Sequence, residues 1–384
     1  MADTDWGAPE TDVIESAHQY LRHDSSAMLA TIVGVEGSAY RRPGAKMVIP
    51  PEGDSVGSIT ADCLEDEVTA LARDVLADGT ARIETYDLRG DGDVWGLGVG
   101  CNGVIDVLLE PIEPHYQTVT DAVAAGNSVA VCTVVESENT AVPLGTRAYY
   151  LHDDGWNHSD QWPDELLPEI SDTATQSARD GNARTITVRT GAGEVEIFLD
   201  GIAPPPELVV LGTGRDIRPV TELGKRNGFR VIVIGFRGAT ATSERFPHAD
   251  AIRSTSPDSL REVHDFDTDT YVVVMTHNFI DDRLALNELL KTQSSYIGLM
   301  GPRERFEEMR SAFAEEGRTF RKDELERVFT PAGLNLGSET PYQIAHSIIA
   351  ELLAIHNDRC PRHLTNQNGP IHDRTDAGQA QRGN

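Results

Sequence analysis

Lysine is nearly missing from this 384-residue chain: four occur, at positions 46, 225, 291 and 322, so arginine carries almost all the positive charge. Positive charge as a whole is scarce, with 33 Lys+Arg against 62 Asp+Glu and a formal net charge of −29. That deficit argues against non-specific nucleic-acid binding, which needs a basic surface to replace phosphate counterions. The acids are spread along the chain, as on a surface that stays hydrated in concentrated salt, a halophile's adaptation; an acidic face that docks a basic partner is the alternative. Cysteine is also sparse. Cys63, Cys101, Cys132 and Cys360 form no CxxC pair, which argues against a disulfide framework or a zinc ribbon and points to the reducing cytoplasm. No apolar run reaches the roughly 18 residues that span a bilayer, and residues 1–10 are polar and acidic, unlike a signal peptide. No GxxxxGK[ST] loop occurs, which argues against P-loop ATP hydrolysis.

What is present suits two domains, with 39% hydrophobic residues to build their cores. Residues 1–112 read as a mixed α/β domain, with a helix over 12–23, apolar strands at 27–35 and 45–49, and a helix over 64–76 that Gly79 ends. Residues 113–203 form an α/β connecting segment with strand-like runs at 128–135, 146–151, 184–189 and 194–199. Pro204-Pro205-Pro206 is a stiff linker. Residues 207–357 alternate strand and helix: strands at 208–211, 229–234, 271–275 and 296–299, helices to Asn227 and over 279–291, 302–316 and 341–356. Short apolar strands at this spacing predict a Rossmann-like, doubly wound parallel sheet with both faces covered. The tail, 358–384, is polar and expected to be disordered. No internal repeat is visible.

Several motifs carry chemistry. Gly212-x-Gly214 sits between a strand and a helix, where glycines let backbone approach a phosphate and the helix terminus stabilises its charge. The third glycine position is Ile217, and the second strand ends at Gly235, where a carboxylate would hold a ribose hydroxyl; Arg237 is nearby for a 2′-phosphate. An anion or dinucleotide site and a bare scaffold both stay open. Thr276-His277 follows a strand and precedes Asp281-Asp282, at the crevice end of the sheet. Gly301-Pro302-Arg303 opens another helix, whose terminus suits an anion or is simply a capped turn. Arg41-Arg42-Pro43-Gly44 puts two guanidiniums on a rigid turn, fit for phosphate or for local carboxylates. Cys63 starts a helix, which favours the thiolate. Cys101 lies in a glycine-rich loop, 96–103. For either cysteine the alternative is a small core residue, and Cys132 and Cys360 are read that way.

Together these residues resemble the XdhC/CoxI family, accessory proteins that mature molybdenum hydroxylases. The match runs through Glu36-Gly37-Ser38, Arg41 to Met47, Gly57-Ser58-Ile59, Cys63-Leu64-Glu65, the Cys101 loop and Leu108 to Pro111. It continues at Gly212-x-Gly214, Arg245-Phe246-Pro247, Thr276-His277, Tyr296 to Arg303 and Pro331 to Gly337. The resemblance implies a cytoplasmic protein that binds molybdenum cofactor and inserts it into an apo molybdenum hydroxylase such as xanthine or carbon monoxide dehydrogenase. It also implies help in sulfuration, with a cysteine desulfurase as a further partner, and it is compatible with a homodimer. On this reading Cys63 and Cys101 share a pocket as molybdenum ligands or sulfur carriers, with Arg41 and Arg42 at the phosphate. Gly212, Gly214, Thr276, His277, Gly301 and Arg303 would hold a nucleotide of unassigned identity. The family commonly has Gly-Gly before its first cysteine, where this chain has Ala61-Asp62, and that aspartate opposes a thiolate. An NAD(P)-dependent oxidoreductase with His277 as proton donor, and a nucleotide-regulated interaction protein, are the competing readings.

Overall fold

The computed structural model describes residues 5–61, 64–89, 102–159, 161–236 and 241–366. Cys63, Cys101, Arg237 and the tail from 367 lie outside the described residues. Contacts divide the chain at Pro204–Pro205 into two units.

The first unit holds two antiparallel five-stranded sheets built on one plan. Helix α1 (Glu10–Arg22) leads into β1 (Met28–Ser38), β2 (Lys46–Ile49), β3 (Val56–Gly57), α2 (Glu65–Asp78), β4 (Arg82–Asp87) and β5 (Asn102–Pro111). The same order follows with α3 (Gln117–Ala124), β6 (Val129–Ser137), β7 (Arg147–Leu151), β8 (Gly155–His158), α4 (Leu166–Asp180), β9 (Arg184–Thr190) and β10 (Gly193–Ile202). The sheet orders are β3-β2-β1-β5-β4 and β8-β7-β6-β10-β9. The expectation of no internal repeat is therefore corrected. The match extends to single bonds: Gly44 N–H donates to Ile32 O at 2.8 Å, and Gly145 N–H to Val134 O at 2.9 Å. Asp78-Gly79-Thr80-Ala81-Arg82 and Asp180-Gly181-Asn182-Ala183-Arg184 occupy equivalent places, and Gly79 and Gly181 close α2 and α4 in the left-handed conformation a β-carbon disfavours.

Strand alternation sorts the side chains of each sheet. Met28, Ala30 and Ile32 face Val68, Ala72 and Val75 of α2, and Ala130, Cys132 and Val134 face Ile170, Ala174 and Ala178 of α4. Leu29, Val48, Val131 and Tyr149 meet between the sheets, with α1 and α3. Cys132 is thus a core residue, and burial pushes its thiol far above the ordinary range.

Two buried ion pairs cross between the halves. Lys46 Nζ lies 2.8 Å from Asp200 Oδ2 and also binds Glu10; Arg147 binds Glu110. Lys46 and Arg147 both open the second strand of their half, and Asp200 and Glu110 both lie on its last strand, so each half supplies the cation for the other's carboxylate. Burial works against the Lys46 ammonium, but Asp200 and Glu10 outweigh it and hold the charge.

The second unit is the expected α/β layer structure. β11 (Glu207–Leu211), α5 (Ile217–Arg226), β12 (Arg230–Gly235), β13 (Ala251–Ser254), α6 (Leu260–Val263), β14 (Thr270–Val274), α7 (Phe279–Leu289), β15 (Tyr296–Leu299), α8 (Arg303–Glu315), α9 (Lys322–Glu326), β16 (Val328–Phe329) and α10 (Pro341–His356) follow in order. The sheet order is β13-β12-β11-β14-β15-β16, with every pairing parallel. Alternate residues pack on opposite faces: Val209, Leu211, Ile232, Ile234, Val272 and Val274 against α7 and α8, and Leu208, Val210, Val231, Val233 and Val273 against α5 and α10. This is why the strands read as unbroken apolar runs. The order reverses between β11 and β14, the place where such sheets open a ligand crevice.

Candidate functional site

The sequence-derived residues gather at two separate ends of sheets. In the first unit, Arg41 and Arg42 lie half-buried on the connection from β1 to β2. Arg41 Nη1 donates to Ser58 Oγ at 3.1 Å, tying this turn to the segment that leads from β3 to α2. Cys63 belongs to that segment, between Ala61 and Leu64. The connection 88–101, with Cys101, leaves β4 and enters β5 where Ser38 pairs with Asn102. Because β1, β3 and β4 run toward this end while β2 and β5 run away from it, the β1–β2 and β4–β5 connections start and finish at this end of the sheet, and the β3–α2 segment starts there. The side chains of Cys63 and Cys101 lie outside the described residues.

In the second unit, Gly212 and Gly214 follow β11, and Thr276 and His277 follow β14, so the four converge at the switch point. A β-carbon on Gly212, whose φ is 134°, would lie 2.5 Å from the Met275 carbonyl oxygen. His277 adopts φ 58°, a conformation unusual for a residue with a β-carbon and often stored at functional sites. Its Nε2–H donates to Asp216 Oδ2 at 2.7 Å. The other carboxylate oxygen of Asp216 presses where a Gly214 β-carbon would be. A carboxylate therefore sits over the turn at which a dinucleotide's phosphates normally approach. Behind it, Thr276 Oγ1 donates to buried Asp282, whose second oxygen accepts from Arg305 Nη2 at 2.6 Å.

Gly301 and Arg303 stand one strand further on, after β15. Pro302 takes the N-cap position with extended backbone, one place earlier than the first helical position expected for it, and Arg303 opens α8 exposed to solvent. Arg305 links this helix to Thr276 through Asp282. Asp216, Asp282 and Arg305 were not singled out from the sequence as site residues. A carboxylate two positions after a glycine turn carries no mark until the turn folds it back. Among the described residues, no group of three or more His, Cys, Asp or Glu side chains could hold a metal ion.

Residues 20–87 match the XdhC and CoxI family and residues 208–352 the XdhC Rossmann domain. The chain is 32% identical over 338 residues to a probable xanthine dehydrogenase subunit of Bacillus subtilis (strain 168), spanning 87% of this chain and 94% of that one. It is 21% identical to the molybdenum cofactor insertion chaperone PaoD of Escherichia coli (strain K12), over 92% of this chain and 93% of the chaperone. A crystal structure of a xanthine dehydrogenase from Bacillus halodurans superposes with a TM-score of 0.73 at 29% identity, covering 91% of this chain and 96% of that one. On the extent and identity of these matches in both units, the chain belongs to the XdhC and CoxI family.

Proposed function

We propose that this chain is an accessory protein of a molybdenum hydroxylase, which takes up molybdenum cofactor as cargo and delivers it to the cofactor-free enzyme. The observation that supports the reading is that the Arg41-Arg42 turn and the connections containing Cys63 and Cys101 all depart from strands ending at one end of one sheet. Soft thiolates suit molybdenum, and guanidiniums suit the cofactor's phosphate. A relative named as a molybdenum cofactor insertion chaperone, matched over 93% of its length, supports the same reading. Help with sulfuration, by sulfur carried on one of these cysteines from a cysteine desulfurase, is the finer part of the proposal.

The oxidoreductase reading finds less support. The Asp216 carboxylate repels a pyrophosphate at the Gly212 turn, and β12 ends at Gly235 without an acid for a ribose. Among the described residues, no helix is long and apolar enough to cross a membrane.

The test is anaerobic incubation with isolated molybdenum cofactor, followed by gel filtration and assay of retained pterin. The wild type is expected to retain about one equivalent. Cys63→Ala or Cys101→Ala should abolish retention, and Arg41→Ala should weaken it. Absence of retention by the wild type would refute the proposal.

A further inference from the structure

The turn that holds Arg41 also holds Tyr40, and the short helical turn Asp5–Gly7 lays Trp6 beside it. The two rings stack with centroids 6.3 Å apart and planes inclined by 26°. Both remain open to solvent, Tyr40 at 50% and Trp6 at 38% exposure, whereas Tyr116, Tyr149 and Trp162 of the same unit are buried. The pair is held in place. Trp6 Nε1–H donates to Glu65 Oε2 at 2.7 Å, and Glu65 Oε1 accepts from Thr60 N–H at 3.3 Å. Thr60 and Glu65 bracket the segment carrying Cys63. The ring pair, the Arg41 guanidinium and that segment are thus tied into one end of the sheet.

The second half of the unit acts as an internal control. Its matching connection, 138–146, carries Thr140-Ala141-Val142, and Val142 is buried in that half's own core together with Trp162. Where the first half has the connection 88–101, the second closes β9 onto β10 with Gly191-Ala192. The same architecture therefore forms with neither an exposed aromatic nor an arginine on this turn, so folding does not explain Tyr40 and Arg41.

We propose that the Trp6–Tyr40 pair is a stacking platform for the planar pterin of the cofactor, with Arg41 beside it for an anionic group. The inference rests on the cofactor-carrying reading above and names the part of the ligand that these rings recognise. A third ring between them would need about 7 Å, two van der Waals layers, so the pterin lies on the open face of the pair. Stacking on an aromatic side chain contributes about tenfold or more in affinity to a nucleobase and tolerates differences in the ring; a pterin offers the same kind of face.

The test is equilibrium binding of isolated molybdenum cofactor under argon to the wild type, Trp6→Ala, Tyr40→Ala, Trp6→Phe and Tyr40→Phe, followed by tryptophan fluorescence and by pterin retained on gel filtration. Both alanine variants are expected to bind about tenfold or more weakly, and both phenylalanine variants within about twofold of the wild type. Cofactor should quench tryptophan emission in the wild type, and Trp6→Phe should lose most of that quenching while still binding. If the wild type binds and the alanine variants bind equally well, the platform is refuted and the cofactor reading stands. If the wild type binds no cofactor, both fall. Should an alanine variant fail to fold, the quenching in Trp6→Phe decides: quenching undiminished there overturns the platform.

Discussion

At the residue scale, His277 shows what the crevice of the second unit demands. Its left-handed backbone costs a residue with a β-carbon about 1–2 kcal/mol, and the bond to Asp216 partly offsets that strain. Glycine adopts the same backbone freely. Replacing the side chain by glycine and by alanine removes the same imidazole, so the difference between the two variants reads the strain less the larger entropy that glycine gives the unfolded chain. His277→Gly should be more stable than His277→Ala by about 1 kcal/mol in urea unfolding; equal stabilities would contradict the strain argument. Gly212, Gly214, Thr276 and His277 were legible in the sequence because each follows an apolar strand and precedes a helix. Asp216 and Arg305 were not, because their roles depend on where a turn and a helix face point once folded. The cysteines were legible only as candidates, since a lone thiol has no spacing to read.

At the element scale, the strands of the first unit are joined through buried charge. Arg147 Nη1 donates to His115 Nε2 at 2.9 Å; arginine has no acceptor, so that nitrogen must be unprotonated. Burial and the Arg147 charge push the His115 pKa down from 6.5 to about 4. The unfolded chain therefore binds this proton more readily, and the resulting stability is full above pH 6.5 and lost as pH falls from 6.5 toward 4. His115→Asn should flatten the stability profile across that window in urea titrations; a profile as steep as the wild type's would contradict the assignment. The Lys46–Asp200 pair makes a second test, since Lys46 is 1% and Asp200 8% exposed at the side chain. Lys46→Met leaves a buried carboxylate short of its cation and should cost about 3–5 kcal/mol, most of it recovered in Lys46→Met/Asp200→Leu. Equal losses in the single and double variants would show that packing, not charge, is at stake. The main strands and helices were visible from periodicity. β3, β8, β13 and β16 escaped because they are short or half-buried and present no apolar run, and the sequence left the bounds of α3 and α4 open.

At the scale of the whole molecule, the repeated plan of the first unit was hidden because its halves share a backbone path but little sequence beyond the Asp-Gly-x-Ala-Arg turn. Connections of different length, 88–101 against Gly191-Ala192, also break the spacing that a sequence comparison would follow. The parallel sheet of the second unit was legible because burial on both faces requires continuous apolar strands. A net charge of −29 opposes compaction through self-repulsion, so the melting temperature should rise with added potassium chloride; a fall, or no change up to molar salt, would show that this repulsion is negligible. Delivery is put to the test by mixing cofactor-loaded protein with a cofactor-free molybdenum hydroxylase. Hydroxylase activity should appear as pterin leaves the carrier, and faster than with the same amount of free cofactor. Activity no faster than with free cofactor, or pterin that stays on the carrier, would contradict delivery.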